Sequence, residues 1–134
     1  MSATQLAQAF SATQKLILIV DDTPTNIGVI SGAIKDSYRT KIATNGEKAL
    51  ALASAEETPD LILLDIMMPG MDGYETIQTI REDRAMRRLP IIALTAKAMK
   101  GDREKCLEAG ASDYLAKPVN TEQLLSTLRL WLHR

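Results

Sequence analysis

The stretch DLILLDIMMPGMDG, residues 60–73, sets four aliphatic residues, Leu61 to Leu64, directly before Asp65 and follows them with Pro69, Gly70 and Gly73. A short apolar run bounded by turn-forming residues reads as a strand of a parallel sheet buried on both faces. Three other runs have the same form: LILIV (16–20) stops at Asp21 and Asp22, PIIAL (90–94) at Thr95, and SDYLA (112–116) at Lys117. Right-handed crossovers bring the carboxyl ends of parallel strands to one edge of the sheet, and ligands bind beyond that edge. The four runs therefore predict one pocket shared by three acids, a hydroxyl and an amine.

The intervening segments have helical period. Asp22, Thr23 and Pro24 can cap and open a helix with Ile27, Ile30 and Ile34 on one face. RTKIAT near 39–44 reads as a further strand, followed by the Asn45-Gly46 turn and a helix over about 47–55 with Leu50 and Ala53 inward, ended by Thr58 and Pro59. A third helix starts at about Tyr74 and carries Ile77 and Ile80; a fourth carries Met99, Cys106 and Leu107 and stops at Gly110. The last, TEQLLSTLRLWLHR, opens with a Thr-x-x-Gln or an Asn120-led cap and packs Leu124, Leu125, Leu128 and either Trp131 or Leu132. Alternating strands and helices at this length predict an α/β fold of the flavodoxin-like, doubly wound kind: a five-stranded parallel sheet of order 2-1-3-4-5 with five helices.

The 134 residues suit one domain over 14–134 preceded by a flexible tail over 1–13, in which Leu6 and Phe10 hint at a transient docking helix. SATQ occurs at Ser2 and Ser11, too short a string to be an architectural repeat. With 16 basic and 17 acidic residues the formal charge is −1, which gives no general attraction to nucleic acid or an anionic membrane. The amino terminus has neither a positive leader nor a continuous apolar stretch, so no membrane insertion and a cytoplasmic location are expected. The single cysteine, Cys106, fits a reducing compartment and reads as a small buried hydrophobe. Arg81, Arg84, Arg87 and Arg88 read as a solvated helix end, and His133 as a solvated residue rather than a phosphodonor.

Asp21, Asp22 and Asp65 converging at one edge would repel, by about 4 kcal/mol for a pair ~4 Å apart at an effective dielectric near 20. Either a proton is retained or a divalent cation binds. Oxygen ligands without His or Cys favour Mg²⁺ or Mn²⁺ over zinc. A carboxylate beside such an ion can attack phosphorus to form an acyl phosphate, and Asp65, ending the central strand, is the candidate nucleophile. Charge on the phosphoryl oxygens then needs Lys117 and the Thr95 hydroxyl. Each residue alone also has a plain structural role, as helix cap or turn; their joint occurrence at four strand ends favours the chemical one.

The VDD of Val20 to Asp22, the LLDIMMPGMDG of Leu63 to Gly73, the ALTA of Ala93 to Ala96 and the DYLAKPV of Asp113 to Val119 resemble the receiver domain of two-component response regulators, over about residues 14–134. The resemblance implies phosphorylation of Asp65 by a phosphohistidine on a sensor histidine kinase or histidine phosphotransfer protein. It implies a metal site of Asp22, Asp65 and the Met67 backbone carbonyl, with Asp21 acting through water, and a Lys117 that contacts the phosphoryl group. It further implies a cis Lys117-Pro118 bond, movement of Thr95 toward the phosphoryl oxygens, and an inward turn of Tyr114. The exposed start of the first helix, around Asn26, would receive the phosphodonor. The fourth helix, fifth strand and fifth helix would present the change to a downstream protein, without direct nucleic-acid contact.

Met67, where some receivers carry a polar residue, and Lys97, a long cation two after Thr95, suggest slow self-dephosphorylation. The expected protein is a signalling phosphoacceptor rather than a turnover enzyme, freestanding or cut from a hybrid histidine kinase. With Arg134 just after the fifth helix, no appended output domain is expected. An aspartyl-phosphate phosphatase would want a second acid where Met67 stands. A flavin carrier would set its phosphate against the acidic first loop, and fold alone does not assign that function.

Overall fold

The computed structural model describes residues 14–54, 57–68, 72–96 and 100–132. Residues 1–13, Lys97, Met99 and His133, singled out above, lie outside them. Five strands, β1 (Leu16–Val20), β2 (Arg39–Ala43), β3 (Leu61–Asp65), β4 (Ile91–Thr95) and β5 (Asp113–Ala116), alternate with α1 (Pro24–Ile34), α2 (Gly46–Ala53), α3 (Gly73–Glu82), α4 (Lys100–Ala109) and α5 (Thr121–Leu132). The sheet is parallel throughout, in the order β2-β1-β3-β4-β5.

Alternation along each strand divides the core in two. Ile17, Ile19, Leu61, Leu63, Ile92 and Leu94 face α1 and α5, where they meet Ile30, Ile34, Leu124 and Leu128. Their neighbours Leu18, Val20, Ile62, Leu64, Ile91 and Ala93 face α2, α3 and α4. Because helices cover both faces, β1, β3 and β4 are buried at every position, which is why they appear in the sequence as unbroken apolar runs. Each fully buried Leu or Ile contributes roughly 1.5–3 kcal/mol.

The helix ends follow local chemistry. The Asn45 and Asp72 side chains accept from the Lys48 and Glu75 amides, capping α2 and α3. At α5 it is Asn120 that caps, accepting from the Gln123 amide at 3.0 Å. α4 ends at Gly110, whose φ of +116° favours a residue without Cβ. Gly73 is required for a different reason: a Cβ there would lie 2.6 Å from the Ile66 Cα, so α3 begins in direct backbone contact with the loop after β3.

Some inward residues differ from expectation. In α2 the buried residues are Ala49 and Ala53, while Leu50 is only partly covered, since α2 lies close to the sheet where small side chains fit. In α4 Cys106 is buried but Leu107 is 40% exposed, being one step of about 100° round the helix from it. Ile27 is half-buried beside the fully buried Ile30 and Ile34.

The arginine cluster is also not uniformly solvated. Arg84, Arg87 and Arg88 are exposed, but the Arg81 guanidinium turns inward. Its Nε donates to the Gly110 carbonyl at 2.8 Å, its Nη1 to the Arg87 and Leu89 carbonyls, and its Nη2 to Ser112 Oγ at 3.1 Å. Ser112 Oγ also accepts from the Ile91 amide. Burial lowers the Arg81 pKa, yet the group stays charged because guanidinium does not deprotonate in proteins. One side chain thus ties the end of α3 to the starts of β4 and β5.

Candidate functional site: an acidic cluster at the carboxyl edge of the sheet

Strand register assembles the site. Val20 pairs with Leu64, so the next residues, Asp21 and Asp65, leave the sheet side by side. Thr95 pairs with Ala116, which puts Lys117 just beyond it, its amide donating to the Thr95 carbonyl at 2.8 Å. Asp21, Asp65 and Thr95 are buried polar residues, whereas Asp22 is exposed at the mouth.

Lys117 Nζ donates to Asp65 Oδ2 at 2.6 Å and stands 3.7 Å from Asp21 Oδ2. The other oxygen of each acid is held by a backbone amide two residues on: Asp65 Oδ1 accepts from Met67 and Asp21 Oδ1 from Thr23, both at 2.9 Å. These amides orient the carboxylates. Asp21 Oδ2 is buried with no hydrogen-bond donor among the described residues. Such a group carries a desolvation cost of about 1–3 kcal/mol unless something else satisfies it.

Oxygens of Asp21, Asp22 and Asp65 lie within 4.8 Å of one another. Among the described residues one lysine is paired with this cluster of three carboxylates, which leaves two negative charges unbalanced there. An unsatisfied oxygen, an all-oxygen donor set and that residual charge fit a hard divalent cation.

Tyr114 pairs with Ala93 and is half-buried against the cluster facing α2, α3 and α4. By strand alternation its side chain shares a sheet face with Thr95. The Lys117-Pro118 peptide is cis. Asn26, Val29 and Ile30 of α1 line a hollow of about 100 Å³ with Lys117, Pro118 and Val119. A wider hollow of about 460 Å³ between α2 and α3 is bordered by none of the phosphoryl-handling residues.

The strand-end residues Asp21, Asp22, Asp65, Thr95 and Lys117 are thus gathered at one edge, with Met67 beside them as an amide donor and a 48% exposed side chain. The role of Arg81 escaped the sequence reading, since its carbonyl partners leave no side-chain pattern to detect.

Acids at the ends of β1 and β3 with a lysine after β5, on a sheet of this order, define a phosphoryl-accepting signalling module. The chain belongs to the response regulator receiver domain family, whose model matches residues 17–129, and is a phosphoacceptor of two-component signalling rather than a turnover enzyme. It is 40% identical over 114 residues to the response regulator PleD of Caulobacter vibrioides, covering 84% of this chain and 25% of PleD. It is 38% identical over 119 residues to the polar-differentiation response regulator DivK of Brucella anthropi, covering 88% of this chain and 96% of DivK. The crystal structure of the receiver domain of sensor histidine kinase PA1611 from Pseudomonas aeruginosa PAO1, with a magnesium ion coordinated in its active-site cleft, superposes with a TM-score of 0.82 at 41% identity, over 91% of this chain and all of that one.

Proposed function

We propose that Asp65 accepts a phosphoryl group from a phosphohistidine of a sensor histidine kinase or histidine phosphotransfer protein, and that the resulting charge switches a protein-binding face. The observation that carries this reading is the buried Asp65 carboxylate oriented by the Met67 amide and paired at 2.6 Å with Lys117. An Asp65 oxygen attacks phosphorus, the N–P bond breaks, and imidazole leaves with the electron pair. Lys117 and Thr95 then stabilise the phosphoryl oxygens. Asp21, Asp22, Asp65 and the Met67 backbone carbonyl would hold Mg²⁺ or Mn²⁺, which when bound supplies further countercharge.

The added charge of about −1.5 to −2 draws the Thr95 hydroxyl toward it, and Tyr114 follows inward, so the face of α4, β5 and α5 carries the signal to a protein target. The hollow bounded by Asn26, Val29 and Val119, next to Lys117, supports docking of the donor beside α1. No described helix is long and apolar enough to cross a membrane, and the charge balance gives no attraction to nucleic acid, in keeping with a cytoplasmic module over 14–134.

Two settings have support. The DivK match, covering 96% of that protein, favours a freestanding regulator, and the 41% identity with a sensor kinase's receiver favours a module of a hybrid kinase.

Incubation with Mg²⁺ and acetyl phosphate should add one phosphoryl group to the intact mass of the wild-type chain and none to Asp65→Asn. A stable gain in both proteins refutes the acceptor. In the same assay Met67 and Lys97 should give slow decay after donor removal, and a half-life of only seconds would reject their assignment as lifetime-setting residues.

A further inference from the structure

Arg103 on α4 sets its guanidinium carbon over the Tyr114 ring, 5.6 Å from the centroid. Arg103 is itself exposed, and the ring beneath it is half-buried. Between Tyr114 and Thr95 on their common sheet face, Ala93 and Ala116 carry only methyl groups. A ring that moved toward Thr95 would slide past these small residues and leave the guanidinium. If the guanidinium followed, it would give up water. Either course costs the cation–π contact or hydration of the charge.

We propose that Arg103 is a positioning residue that holds Tyr114 in its resting place and so opposes the switched state. This rests on the reading above, in which Tyr114 moves inward when Asp65 is charged. A contact present in one state only shifts the equilibrium by its own free energy, and a ligand favouring the other state must overcome it. Arg103 would thereby lower the apparent affinity of the site for a phosphoryl group while touching none of the reacting atoms.

The test is calorimetric titration of the full chain with beryllofluoride in Mg²⁺, as a stable phosphoryl mimic. Arg103→Gln should bind about two- to fivefold more tightly than wild type, the range of one exposed cation–π contact. Arg103→Lys, which keeps a cation, should restore most of the wild-type affinity. In a Tyr114→Leu background Arg103→Gln should change nothing, whereas a general effect on α4 would persist there. Equal or weaker binding by Arg103→Gln, or the same gain in the Tyr114→Leu background, overturns the restraint alone. Failure of the wild-type chain to bind beryllofluoride overturns the Asp65 assignment and the restraint with it.

Discussion

Asp21 shows how one residue serves both fold and chemistry. Its amide donates to the Ala43 carbonyl, continuing the β1–β2 ladder, while one carboxylate oxygen fixes the Thr23 amide and the other stays buried without a donor among the described residues. The free chain therefore carries a local cost at this oxygen, and the neighbouring Asp65 and Asp22 add repulsion that Lys117 offsets only in part. Asp21→Asn keeps an acceptor for Thr23 and removes one charge. In metal-free buffer it should raise stability by on the order of 1 kcal/mol, read from urea melts, and in the same protein Mg²⁺ affinity should fall. A loss of stability in metal-free buffer would contradict the repulsion argument.

Between elements, the contacts of Arg81 on the α3–α4 side explain how the site's scaffold is kept in register. The Arg81 guanidinium is bonded to carbonyls at the end of α4 and in the α3–β4 connection, and through Ser112 to the starts of β4 and β5. Arg81→Met strands these buried acceptors and should cost at least about 2 kcal/mol, with Arg81→Lys recovering only part because an ammonium lacks the planar fork. Burial raises both Tyr74 of α3 and Cys106 of α4 above their usual values of 10.0 and 9.0. Above pH 9.0 the unfolded thiol loses its proton before the folded one does, so stability falls as pH rises, with the phenol adding to the fall higher up. Cys106→Ala should lessen that alkaline loss in melts run across the range; an unchanged slope would argue against it.

For the whole molecule, phosphoryl chemistry, metal binding and fold stability meet in one place, because the acids that repel one another are anchored at the ends of β1 and β3, with the lysine that partly offsets them on the loop after β5. A divalent cation binding the folded site but not the dispersed unfolded carboxylates must stabilise the entire domain. At a hundredfold excess over its dissociation constant the gain is about 2.7 kcal/mol. Mg²⁺ should therefore raise the melting temperature of wild type, EDTA should reverse it, and Asp21→Asn should show a smaller rise. An unaltered wild-type melt at millimolar Mg²⁺ would count against the metal site.

Much of this was legible in the chain. Runs such as LILIV and LILL are apolar at every position because helices cover both sheet faces, so burial writes the strands into the sequence directly. The strand-end acids, Thr95 and Lys117 were legible because parallel topology turns positions at strand ends into one edge. Helical period in the sequence already marked Ile30, Ile34, Ile77, Ile80, Leu124 and Leu128 as inward, but tertiary structure alone decided positions such as Ala49 ahead of Leu50, since that depends on how near the helix lies to the sheet. It alone also turned Arg81 inward and set Arg103 over Tyr114. Backbone carbonyls and ring faces are present at any position, so the sequence carries no mark of which of them an arginine will reach.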